Sequence, residues 1–135
     1  MPASISLPHR GVVTRLGVSR IHGIGVFAIA PIRAGMNPFA NDDRPIRWID
    51  ATVVDTLAPE SPQRALYSDF GIRRAGLIGC PETFDILGSG WYVNEPSIGT
   101  EPNMIATAGF DLIASRDIMA GEELTLCYRT FSDIT

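Results

Sequence analysis

Glycine and proline interrupt this chain so often that long helices have little room in it. Thirteen glycines and ten prolines stand among 135 residues, about 17% where roughly 12% is average. Glycine favours turns that need unusual backbone angles, and proline ends strands and helices. The chain therefore reads as many short strands joined by turns. "GVVTRLGVS" (11–19) is a first strand, alternating imperfectly between apolar and polar. "GVFAIA" (25–30) is a second, stopped by Pro31, and "PIRAGM" (31–36) is a turn-forming connection. "PIRWID" (45–50) is a third, with Ile46 and Trp48 on one face. "ETFDILG" (82–88) reads as a further strand, "MIATAGFDLIASRDI" (104–118) as two strands around Gly109, and "ELTLCY" (123–128) as the last. One helix is predicted, over "SPQRALYSDFG" (61–71). Ser61 caps it, Pro62 suits its first turn and Gly71 its end, with Leu66 and Phe70 as an apolar stripe. Loops 36–44 and 94–103 carry no periodicity.

With 45% hydrophobic residues and a mean hydropathy of +0.13, the chain is globular, and 135 residues make one domain with a core of its own. No internal repeat divides it. A net charge of −4 argues against nucleic-acid binding, which needs a clustered basic face. Cys80 and Cys127 lie far apart and form no CxxC, so no zinc site is read. They could form one disulfide, but the N-terminus "MPASISLPHR" lacks the apolar core and cleavage site of a signal peptide. No apolar run reaches membrane-spanning length. The expectation is a cytoplasmic protein with reduced thiols.

Three stretches invite a functional reading, and each also has a plain structural one. In "IHGIGVFA" (21–28), Gly23 and Gly25 flank one residue ahead of a strand. Such spacing lets backbone approach a ligand closely, or simply makes a turn; the third glycine of a dinucleotide fingerprint is missing. In "WYVNEPSIGTEPN" (91–103), Asn94 and Asn103 bracket a proline-rich loop that could hold a ligand or merely make turns. In "RDIMAGEELTLCYR" (116–129), a tight turn leads into a strand that delivers Tyr128, a catalytic phenol or a core tyrosine with a satisfied hydroxyl. Glu122 and Glu123 read as solvated turn charges, not as a catalytic pair. His9 and His22 have no partner at metal-ligand spacing.

Taken together and in this order, "HGIGVFA", "YVN" followed by "EPN", and "ASRDIMAGEELTLCY" resemble the SET-domain family, consisting mainly of protein lysine methyltransferases that use S-adenosylmethionine. The resemblance spans residues 11 to 131, at a size similar to minimal viral and bacterial members. It implies a mainly β fold of short strands, β-clip-like, with a knot-like C-terminal core and one short helix. It also implies that Tyr128 is catalytic, orienting the amine, and that His22, Gly23, Ile24, Gly25, Asn94, Glu95 and Phe131 contact S-adenosylmethionine. The backbone at Gly23 to Gly25 would hold the methionine part, and Asn94 and Glu95 the amino group and adenine side.

The sequence also departs from the family pattern. Glu95 stands where the family has histidine, the 94–103 loop is longer by three residues, Met36 to Phe39 occupies the place of a Tyr-x-Gly, and no cysteine cluster follows Tyr128. These departures define the alternative, a SET-fold module with weak or lost catalysis that binds cofactor or a protein partner. The expected acceptor is a protein or peptide lysine. Only Arg129 to Thr135 follow Tyr128, so a second copy of the chain, in a homodimer, or another protein is expected to wall the lysine channel.

Overall fold

The computed structural model describes residues 11–130 and residue 132. Among the described residues, seven short strands and two short helices are joined by turns. They run β1 (Thr14–Val18), β2 (Ile24–Ala28), β3 (Arg47–Asp50), α1 (Ala51–Asp55), α2 (Pro62–Phe70), β4 (Ile72–Arg74), β5 (Leu77–Cys80), β6 (Met104–Ala106) and β7 (Leu112–Ala114). Single 3-10 turns cover Ser89–Tyr92 and Tyr128–Thr130. The strands make three small antiparallel sheets, β1-β2, β3-β5-β4 and β6-β7.

The β1-β2 hairpin pairs Thr14 with Ala28 and Val18 with Ile24. Alternation puts Val26 and Ala28 into the core while Arg15 stays exposed. Opposite that hairpin, "ELTLCY" forms no regular strand. Its residues pair one by one with different partners, giving isolated bridges Phe27–Glu123, Asn94–Thr125 and Met104–Leu126. Leu124 N donates to Val26 O on one side, and Leu126 N donates to Asn94 O on the other, at 2.8 and 2.9 Å. The last segment is thus held between the first hairpin and the 94–104 loop.

Asn103 fastens it there. Buried at 3% exposure, its Nδ2 donates to Glu123 O at 2.9 Å and its Oδ1 accepts Thr125 N at 2.8 Å. Around this crossing lies the main core of Val26, Ala28, Ile32, Val93, Met104, Ala114, Ile118, Leu124 and Leu126. A satellite of Ala51, Val54 and Ile78 sits under the three-stranded sheet.

Several sequence expectations need correction. Residues 82–88 form turns and bends, not a strand, because the backbone turns after Pro81 with no strand beside it. A second helix, α1, follows β3; Asp50 caps it by accepting Thr52 N. The predicted helix is present at Pro62–Phe70, and Ser61 accepts Arg64 N as expected. Its Leu66 and Phe70 stripe is not a buried face, since no α2 residue is buried and Leu66 is 38% exposed. Tyr67 and Phe70 pack on Phe84 instead. Gly71 is extended, and a Cβ there would collide with Tyr67 O, so space and not a left-handed turn requires it. Cys80 and Cys127 are not disulfide-bonded. Among the described residues, no helix is long and apolar enough to cross a membrane.

Candidate active site

The loop between β1 and β2 is built around Ser19. Its N–H donates to Gly23 O at 2.8 Å, closing a tight turn that Gly23 completes at φ +46°. The Ser19 hydroxyl accepts the N–H groups of Ile21 and His22 and stands 2.9 Å from both oxygens of Glu123. Glu123 arrives from the far end of the sequence. It is half-buried, hydrogen-bonded and central, which overturns its reading as a solvated turn charge. Glu122 does serve the turn. It accepts Met119 N and pairs with Arg116, and these partners, the N–H first, hold its carboxyl below the usual range.

Asn94 ties the two ends together. Its Nδ2 lies 3.0 Å from His22 O, 3.2 Å from Ile24 O and 3.1 Å from Glu123 Oε2, two hydrogens shared among three acceptors. The Asn94 nitrogen is therefore spent on bracing the 19–25 loop. Gly25 has a matching explanation. A Cβ built on it would meet Glu123 Oε2 and approach Glu123 Cδ to 2.9 Å and Ser19 Cβ to 3.1 Å. This glycine makes room for a carboxylate of the same chain. At Gly23 an added Cβ meets nothing within 4 Å, so there only the left-handed backbone requires glycine.

Tyr128 sits at the end of the threaded segment. Its backbone N–H donates to Glu95 Oε1 at 2.8 Å, and its phenol donates to Val93 O at 2.6 Å. Burial, and then the Glu95 carboxylate, push the phenol's pKa up to about 12. The tyrosine is half-buried and lines two cavities. The smaller, about 460 Å³, is bounded by Ile21, His22, Ile24, Asn94 and Glu95, together with Trp91 and Tyr92. The larger, about 830 Å³, lies against Phe39, Tyr67, Phe110 and Leu126. Ser68, Asp69, Phe70, Trp91 and Val93 also belong to both walls.

Of the residues picked from sequence, His22, Ile24, Asn94, Glu95 and Tyr128 thus converge on one cavity. Gly23 and Gly25 shape the loop beside it without lining it, and Phe131 and His9 lie outside the described residues. Sequence reasoning missed Glu123, Ser19 and the aromatic wall of Phe70, Trp91 and Tyr92. The "GEE" turn pointed to a carboxylate in the right place, but nothing local said which of the two turns inward.

No protein-family model and no curated protein matches this sequence. Solved structures do match its fold. One is the crystal structure of a Plasmodium falciparum protein described as a candidate histone methyltransferase, with a TM-score of 0.55 and 19% identity over 84% of this chain and 90% of that one. The fold is mainly β and SET-like. At 19% identity the likeness carries the fold alone. Within it, the two cavities, the braced 19–25 loop and the Tyr128 phenol are this chain's own geometry.

Proposed function

We propose that this chain is a methyltransferase that uses S-adenosylmethionine and methylates a lysine side chain of a protein. The observation that carries this reading is the place of Tyr128, which lines both cavities. That arrangement suits a reaction in which donor and acceptor enter from different sides and meet at one point. The smaller cavity fits the cofactor. It is in the size range of small-ligand pockets, it offers aromatic rings to an adenine, and Glu95 and Asp69 offer carboxylates to a molecule with a cationic amino group and sulfonium. When bound, S-adenosylmethionine supplies a methyl group on a sulfonium carbon for in-line displacement.

The chain's own residues would then act by position. Tyr128 gives its single hydroxyl hydrogen to Val93 O, so it can meet an N–H only as an acceptor. An amine arriving through the larger cavity would be held by that oxygen, its lone pair directed toward the smaller one. The phenol, with its pKa near 12, stays protonated and orients the amine without serving as a base. The lysine proton leaves to solvent before attack; desolvation and the nearby sulfonium charge lower its pKa from a reference of about 10.4. Asn94, Ser19 and Glu123 keep the 19–25 loop in place beside the cofactor.

The second reading, a binding module, is favoured by the same hydrogen bonds, because Tyr128 Oη and Asn94 Nδ2 are already engaged within the protein. Isothermal titration with S-adenosylmethionine, followed by tritiated-methyl transfer to basic peptides and cell lysate, separates the two. Binding with transfer supports the enzyme. Binding without transfer supports a module that holds cofactor, and no binding removes the enzyme and leaves only a module that binds a protein partner.

A further inference from the structure

Two carboxylates line the smaller cavity, Asp69 and Glu95, and the protein holds them very differently. Asp69 is exposed near the end of α2. Glu95 is half-buried, and its Oε1 accepts the Tyr128 N–H at 2.8 Å. Its backbone is fixed on both sides. Asn94 before it gives its carbonyl to Leu126 N and its amide nitrogen to the 19–25 loop, and Pro96 after it restricts the backbone angles. Glu95 is thus a charge set in place before any ligand arrives.

That charge is not neutralised by the protein. Glu95 has no ion pair among the described residues. Neither lysine nor arginine lines the cavity; His22 is its one basic side chain, and the other titratable groups on its walls are Asp69, Tyr92 and Tyr128. The carboxylate is felt at the phenol, where it adds to burial in holding the Tyr128 pKa above its ordinary value. Phe70, Trp91 and Tyr92 also line the cavity, with Phe70 and Tyr92 in edge contact at 5.4 Å. Rings of this kind attract cations over their faces, and a partly desolvated carboxylate acts on a neighbouring charge more strongly than one in open water.

Methyl transfer alters a sulfonium donor by one unit of charge. The methyl carbon bonds to the amine, the C–S bonding pair stays on sulfur, and the sulfonium becomes a neutral thioether. We infer that Glu95 is a specificity residue that makes the smaller cavity bind a cationic nucleoside in preference to its neutral counterpart, so that fresh donor displaces spent thioether. This rests on the proposed function for the identity of the nucleoside. The basis in this chain is the place of Glu95, on the cavity wall and bonded to the backbone of Tyr128.

The test is isothermal titration of the full chain with S-adenosylmethionine, with the neutral thioether S-adenosylhomocysteine, and with sinefungin, which carries an ammonium where the sulfonium stands. Wild type should bind both cationic ligands at least ~10-fold more tightly than the thioether. Glu95→Gln keeps an oxygen for Tyr128 N and loses the charge, so the preference should fall below ~3-fold, mainly by weaker binding of the cations. A residue that only held the structure together would weaken all three ligands alike. Asp69→Asn, at the exposed carboxylate, should keep a preference of at least ~5-fold. Equal affinities in wild type, or an unchanged preference in Glu95→Gln, overturn the assignment and leave the methyltransferase reading in place. Should Glu95→Gln fold poorly, wild type still decides, because sinefungin binding no better than the thioether overturns the role of charge. Charge-selected binding that Glu95→Gln abolishes, with no methyl transfer to any peptide, would uphold Glu95 and refute the enzyme. Binding of none of the three would overturn both.

Discussion

Adding one carbon at Gly25 should damage the protein through Glu123, a residue 98 positions away in sequence. In Gly25→Ala the new Cβ collides with the Glu123 carboxylate, which must move and give up its bonds to Ser19 Oγ and Asn94 Nδ2. Hydrogen bonds to a charged group contribute about 1.5–3 kcal/mol each. Because Glu123 is only half-buried, water replaces part of that, and the expected cost is about 2–3 kcal/mol. Glu123→Ala removes the same bonds and should cost about as much. The double variant Gly25→Ala/Glu123→Ala has space for the methyl group and should be no less stable than Glu123→Ala alone. That gives a coupling energy of about 2 kcal/mol, in the range seen for residues in one network. Urea denaturation of the four proteins measures it. Additive costs would refute the reasoning. So would a Gly25→Ala protein of wild-type stability that no longer binds S-adenosylmethionine, since the glycine would then be serving the ligand and not the carboxylate.

Three further outcomes follow from the same contacts. Asn103→Ala leaves Thr125 N buried without its acceptor and frees the threaded segment from the loop; it should cost roughly 2–4 kcal/mol in thermal or urea unfolding. Tyr128 holds its proton more tightly when folded, with a pKa of about 12 against 10. Its contribution to stability is full below pH 10 and is lost as pH rises from 10 to 12; with part of the ring exposed, screening reduces it to about 1–2 kcal/mol. Absorbance at 295 nm and unfolding curves across that range check the sign, and Tyr128→Phe should flatten the loss. Ser61→Ala removes the α2 cap and should cost about 1 kcal/mol.

What the sequence made legible depended on how local the cause was. The β1-β2 and β6-β7 hairpins show in alternation and in their turn glycines, and α2 shows in Ser61 and Pro62. The β4-β5 hairpin was missed because its first strand, Ile72-Arg73-Arg74, is polar and largely exposed and its turn is Ala75-Gly76, with alanine at φ 52°. Helix α1 is five residues long, too short for a period to register. "ELTLCY" carried the right alternation, yet its bridges at Glu123, Thr125 and Leu126 go to three different partners, Phe27, Asn94 and Met104, so they exist only once the chain has crossed itself. The site divides in the same way. Tyr128, Asn94 and Glu95 could be found from motifs, whereas the inward turn of Glu123 and the reason for Gly25 depend on contacts about a hundred residues apart, which no local pattern carries.

The central claim is that the Tyr128 hydroxyl orients the acceptor amine, and one substitution addresses it. Tyr128→Phe keeps the ring packed and removes the hydroxyl with its bond to Val93 O, a loss of about 1 kcal/mol in stability. Methyl transfer to the best basic peptide, measured with tritiated S-adenosylmethionine, should fall by about 100-fold or more, because a misaligned in-line transfer is penalised steeply, with cofactor affinity unchanged. Equal transfer by Tyr128→Phe and wild type would contradict the account and leave Tyr128 as a core residue between two cavities.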